Sequence, residues 1–128
     1  MGLTTFKTIG KPLPGRLNIV YALKDQIEKE QLNFANATNL EFTNIPPKEL
    51  LEDLEKRGYK EVAICGGSSI YTMFMEAGLV TNIYMTIEPR LFGTGMTVFN
   101  KPLDIKLNLI SSEKLSDDVL FLEYRVVK

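Results

Sequence analysis

The sequence predicts an α/β fold with one sheet, mostly parallel, ending in an antiparallel carboxyl-terminal hairpin. Three observations carry this. Val62-Ala63-Ile64-Cys65 is an apolar run too short for a helix and suited to a strand covered on both faces; it stops at Gly66-Gly67 and turns into a helix. A helix opening at Pro46-Pro47 closes at Gly58, two residues before that strand. Leu107/Leu109 and Leu120/Leu122/Tyr124/Val126 alternate with period two around a Ser116-Asp117-Asp118 turn.

Taken in order, Gly2 gives a turn, Thr4 or Thr5 caps a short helix, and Gly10 stops it. Lys11-Pro12-Leu13-Pro14-Gly15-Arg16 is a rigid loop, because two prolines fix φ and bias their predecessors to extended forms. Leu17 to Leu23 reads as a strand, Lys24 to Gln31 as a loop or short surface helix, and Asn33 to Asn39 as irregular. Leu40-Glu41-Phe42-Thr43 is a short strand. In the helix after Pro47, Leu50, Leu51 and Leu54 form the apolar stripe, with acids early and Lys56-Arg57 late. The helix after the glycine pair runs from about Ser68 to Ala77, capped by Ser68 and buried through Ile70, Tyr71, Phe74 and Met75. Asn82 to Ile87 is a strand, residues 91–99 form a glycine-bearing loop, and strands at 105–113 and 119–127 close the chain.

The 128 residues are expected to form one domain, and 45% hydrophobic with 24% charged residues is the balance of a soluble globular protein. Net charge is −1 without a basic run, so neither a nucleic-acid nor a membrane surface is expected. A single cysteine excludes an internal disulfide. With no histidine beside it, the chain has no histidine acid–base chemistry, and neither zinc nor any other metal is expected. No stretch has membrane-span length, and Phe6 stands where a myristoylation motif needs Ser or Thr, so a cytoplasmic location is expected.

Strand end, glycine pair and helix start together make a candidate anion site, phosphate being the usual guest, although many α/β domains carry such a turn for packing alone.

Two stretches resemble dihydrofolate reductases: Met1 to Phe6 with Ile9 to Val20, and Gly66-Gly67-Ser68-Ser69-Ile70-Tyr71 followed by Tyr84-Met85-Thr86. Gly78-Leu79-Val80 and the segment Pro89 to Gly95 are similar to the related riboflavin-pathway reductases; the Pro12-Leu13-Pro14-Gly15-Arg16 loop favours the folate branch. The resemblance implies a three-layer α/β/α dihydrofolate reductase-like domain and NADPH-dependent reduction of dihydrofolate to tetrahydrofolate. It implies that Gly2, Leu3, Thr4, Thr5, Gly66, Gly67, Ser68, Ser69, Ile70, Tyr71 and Thr97 line NADPH. On the substrate side Arg16 would pair with a folate carboxylate, Ile9, Leu13 and Cys65 would touch the pterin or aminobenzoyl groups, and Thr86 would hold the catalytic acid.

Each residue also has a plainer reading. Arg16 could cap its own loop, Cys65 is expected to be a small buried hydrophobe lining the site, Tyr71 could be core, and Thr86 simply favours a strand. Leu3 replaces a usual basic residue, and Ala22 and Leu23 replace polar ones, with Lys24 adjacent. No Asp or Glu matches the family's acid, which with the first strand and active-site loop precedes the segment that begins here at Met1. An amino-terminally truncated domain is therefore expected, with no catalytic residue of its own, little turnover alone, and self-association through exposed sheet edges. The other readings are a riboflavin-pathway pyrimidine reductase and a non-catalytic nucleotide-binding remnant.

Overall fold

The computed structural model describes residues 1–128, with four helices and five strands. The order is α1 (Leu3–Ile9), β1 (Asn18–Tyr21), α2 (Lys24–Asn33), β2 (Leu40–Thr43), α3 (Pro47–Lys56), α4 (Ser68–Glu76), β3 (Asn82–Ile87), β4 (Leu107–Lys114) and β5 (Leu120–Val126). The α/β class holds. β1 and β2 pair in parallel, Val20 opposite Phe42, while β3, β5 and β4 form an antiparallel sheet in that order.

The parallel pair is covered on both faces. Phe6 of α1 is fully buried and meets Phe42 of β2 edge-on at 6.1 Å and Phe34 at 5.1 Å, which puts α1 on the Val20 face. Ile19 and Tyr21 point the other way, against Leu50 and Leu54 of α3 and Phe74 of α4. That cluster is the main core, and its α3 residues are the predicted leucine stripe. Lys7 reaches 2.9 Å to Glu30, buried in α2, so the segment read as loop or helix is a helix clipped to α1.

The expected single, mostly parallel sheet is instead two ladders, and the strand expected at 62–65 belongs to neither. Lys60 to Cys65 make no backbone hydrogen bond, and only Ile64 packs against the core cluster, while Val62 is 44% exposed. An apolar run becomes a strand only when a neighbour offers its N–H and C=O groups, and here none does. No residue of β3, β4 or β5 is fully buried.

The caps differ as well. Thr4 and Thr5 lie inside α1, whose N-cap is Gly2, and Ser68 lies inside α4, whose N-cap is Gly67; neither helix has a side-chain cap. Both glycines carry a φ of −79° with extended ψ, which seats the chain for helix entry without a capping oxygen. The expected stop at Gly10 is present, its φ of +83° and its N–H bonded to the Phe6 carbonyl.

Candidate functional site

The two uncapped helix starts lie side by side. Gly2 N–H donates to the Gly66 carbonyl at 2.8 Å, joining the head of α1 to the glycine turn ahead of α4. A Cβ on Gly2 would sit 3.3 Å from Ile70 Cγ1 and 3.9 Å from Gly67 N, so the two turns approach to van der Waals distance here. The Gly66–Gly67 peptide is cis, and Gly66 has φ +91°. A Cβ there would stand 3.3 Å from Cε2, Cζ and OH of Tyr71, so the Tyr71 ring lies flush against bare backbone. Thr5 Oγ1 closes the group, 3.6 Å from where a Gly67 Cβ would be. Gly2, Thr5, Gly66, Gly67, Ile70 and Tyr71 are thus gathered in one place.

The electrostatics suit an anion. Neither helix has an acidic residue in its first turn or a capping oxygen, so the leading N–H groups keep their positive end uncompensated. Burial pushes the Tyr71 phenol above its ordinary range, and Cys65 adds to the effect, so the ring stays neutral. Thr72 Oγ1 donates to Ser68 O at 2.7 Å and accepts Asn100 N–H at 3.0 Å, while Asn100 Nδ2 reaches Ser69 Oγ at 3.3 Å. These bonds tie the loop carrying Thr97 to α4. Thr97 itself is exposed and donates to Phe99 O at 2.6 Å. A polar trough of about 470 Å³ runs along this side of α4, lined by Ser69, Thr72, Met73, Glu76, Asn100 and Lys101. Leu3 and Ser68 are half-buried at the two helix starts, and Thr4 is exposed.

Of the expected substrate residues, Cys65 alone adjoins this group, through its peptide bond to Gly66. Arg16 is exposed, its Nε donating to Pro14 O at 3.2 Å, and no carboxylate pairs with it. Its loop is held by two asparagines that the sequence reading passed over. Asn18, 3% exposed, accepts Leu13 N–H at 2.9 Å and donates to the carbonyls of Leu13, Arg16 and Asn39; Asn39 Nδ2 donates to Leu13 O and Arg16 O. Only the Pro-rich spacing hinted that such a loop needs internal anchors. Leu13 is half-buried, Ile9 is 40% exposed, and Thr86 is exposed on β3. Cys65, expected to be buried, is exposed, because the run it ends packs on one side only.

A family model of the RibD C-terminal domain matches residues 16–121. The chain belongs to that family. The folate branch favoured by the Pro12 to Arg16 loop gives way to this one, because the family match spans both ladders. Solved structures of this type share the fold over 86–100% of the chain. A Shewanella sp. PV-4 protein assigned to riboflavin biosynthesis superposes with TM-score 0.77 at 20% identity, covering 100% of this chain and 72% of that one. The diaminohydroxyphosphoribosylaminopyrimidine deaminase/5-amino-6-(5-phosphoribosylamino)uracil reductase of Thermotoga maritima gives 0.74 at 17% identity, over 98% of this chain and 44% of that one. RibD of Acinetobacter baumannii gives 0.63 at 19%, over 86% and 31%. Among curated proteins, the uncharacterized protein YyaP of Bacillus subtilis is 29% identical over 87 residues, 65% of this chain; the chain spans 45% of YyaP. No helix is long and apolar enough to cross a membrane.

Proposed function

We propose that this chain is the cofactor-holding part of an NADPH-dependent pyrimidine reductase of riboflavin synthesis. The observation that carries the reading is the juxtaposition of two uncapped helix N-termini across the Gly2–Gly66 hydrogen bond. A pyrophosphate fits such a pair. It needs N–H donors from more than one direction and absent acids. Gly2, Gly66 and Gly67 let the two helix starts and the Tyr71 ring close up on one another, the first turns of α1 and α4 supply the donors, and the neutral Tyr71 ring supplies a flat face for nicotinamide. NADPH, when bound, supplies the hydride; the protein's part is to hold and orient it. Thr5 and Ser69 add hydroxyls at the two helix starts, and Thr97 lies on the loop that Asn100 ties to α4.

The substrate class follows from the RibD kinship. The Thermotoga relative's name is that of a reductase acting on a phosphoribosylamino-uracil, and we assign this chain a substrate of that class. A second reading, dihydrofolate, is favoured by one observation: the Arg16 guanidinium has no carboxylate partner within the protein and is free to take one from a ligand. No residue of the chain is assigned as the proton donor.

The test is fluorescence titration of the whole chain with NADPH and with NADH, followed by oxidation of NADPH in the presence of 5-amino-6-(5-phosphoribosylamino)uracil or of dihydrofolate. Saturable NADPH binding that weakens at least about tenfold in Gly67→Val supports the cofactor site, since the added side chain meets Thr5 at the helix mouth. A folded chain that binds neither cofactor overturns it. Oxidation driven by dihydrofolate and not by the pyrimidine would move the chain to the folate reading.

A further inference from the structure

Given the NADPH site proposed above, we propose that Asn100 is a positioning residue for it. The Asn100 amide holds the Ser69 hydroxyl oxygen as an acceptor, and this turns the Ser69 O–H proton out as a donor to the cofactor pyrophosphate.

Residues 100–101 are clasped along one stripe of α4. Asn100 N–H donates to Thr72 Oγ1 at 3.0 Å, Asn100 Nδ2 donates to Ser69 Oγ at 3.3 Å, and Lys101 pairs with Glu76. Ser69, Thr72 and Glu76 follow at spacings of three and four, on one face of the helix. The clasp has a buried anchor. Thr72 is 4% exposed and commits its own proton to Ser68 O at 2.7 Å, so its oxygen meets the Asn100 N–H as an acceptor. That bond fixes the Asn100 backbone, and the side chain then reaches the exposed Ser69.

A hydroxyl has one proton and two lone pairs. With an amide N–H on a lone pair of Ser69 Oγ, the proton must point elsewhere, and no carbonyl or carboxylate of the chain takes it. Ser69 is the second residue of α4, in the turn where the N–H groups of Ser68, Ser69 and Ile70 have no backbone acceptor; Tyr71 N–H is the first to find one, at Gly67 O. An O–H aimed outward there joins a set of unspent donors. The cation beside it is already spent. Glu76 holds the Lys101 ammonium, so a phosphate arriving along this trough meets hydroxyl and backbone donors rather than a free charge. A hydrogen bond to a charged oxygen is about twice as strong as one between neutral groups, which is why the direction of a single O–H matters at this place.

The test is fluorescence titration with NADPH and with NADH of the parent, Asn100→Ala, Ser69→Ala, Ser69→Thr and the double variant Asn100→Ala/Ser69→Ala. Ser69→Ala should raise Kd about five- to tenfold for both cofactors, which share the pyrophosphate. Ser69→Thr keeps the hydroxyl and should stay within about twofold of the parent. Asn100→Ala should raise Kd about threefold, and in the Ser69→Ala background it should change nothing further, a coupling that a merely structural clasp would not produce. Should Asn100→Ala fail to fold by circular dichroism, Asn100→Ser, too short to reach Ser69, takes its place in the cycle. A parent that binds neither cofactor overturns the NADPH site and this assignment with it. A parent that binds, with the Asn100 variant at parental affinity, overturns the assignment alone. So does a loss at Asn100 that persists in the Ser69→Ala background, or a loss at Ser69 seen with NADPH and not with NADH, which would give that hydroxyl to the 2′-phosphate.

Discussion

Gly66→Ala tests how the candidate site is built. The position has φ +91°, where a Cβ strains the backbone, and the new methyl would stand 3.3 Å from three atoms of Tyr71. The backbone contribution is about 1–2 kcal/mol, the cost of left-handed geometry for an L-residue. The contact adds a few tenths of an ångström of forced ring movement, which brings the total to about 2–3 kcal/mol. For a chain between the usual small and large domain classes, about 3–6 °C is lost per kcal/mol, so the melting temperature should fall by roughly 6–18 °C.

Gly2→Ala is the internal control. Its Cβ also meets a neighbour at 3.3 Å, but φ is −79° and the neighbour is the end of the Ile70 side chain, which can turn aside. Its cost should stay below about 1 kcal/mol. Tyr71→Ala separates the two terms at Gly66. In that background Gly66→Ala should cost only the backbone part, a coupling of about 1 kcal/mol. Thermal melts by circular dichroism measure the parent and all four variants. Equal losses at Gly2 and Gly66 would refute the argument from φ, and strict additivity with Tyr71→Ala would refute the contact.

Three further outcomes are expected. Asn18→Ala removes four hydrogen bonds around a buried side chain and should cost about 2–3 kcal/mol by chemical denaturation; it should also open the Lys11–Arg16 loop to trypsin while NADPH titration is unchanged. Leu54→Ala hollows the α3–α4 core and should cost about 2–4 kcal/mol, read from the denaturation midpoint with an unaltered slope. The Lys7 hydrogen bond holds the Glu30 carboxyl below its ordinary range, so its stabilisation is complete above the unfolded value of about 4.3 and fades as pH falls through the lower folded value. Melts of the parent and Glu30→Gln should therefore differ most near neutral pH and converge in acid, and a gap that widens in acid would refute the ion pair.

Elements that carry their own instructions were legible in the sequence. α3 has a proline start, a leucine stripe and a glycine stop, and it lies where these place it; β3 occupies the predicted residues, because its alternation meets a real partner in β5. The run at 62–65 shows the limit. Its composition is that of a buried strand, yet strandedness is a property of pairs, and no local signal reports whether a neighbour exists. The caps failed for a related reason. Thr4, Thr5 and Ser68 are good capping residues, but Gly2 and Gly67 take the N-cap places because the two turns must touch. Asn18 and Asn39 could not be read as anchors, since their partners are backbone atoms up to 26 residues away.

The division between gathered and ungathered residues is itself informative. The residues expected around NADPH depend on contacts made within the chain: one backbone bond between Gly2 and Gly66, and Tyr71 laid on bare backbone. These contacts need no help from the antiparallel sheet. Of the residues expected around the substrate, Cys65 adjoins Gly66, while Arg16 sits in the asparagine-pinned loop and Thr86 on β3. No backbone ladder joins β3 to the parallel pair, so Thr86 and Arg16 are held relative to one another through the packing of Leu79 and Val80 on the α3–α4 core rather than through a shared sheet. Cofactor binding and turnover should therefore separate. Gly66→Ala acts on the first through Tyr71, whereas a substitution confined to Thr86 acts on the second and leaves the NADPH affinity where it was.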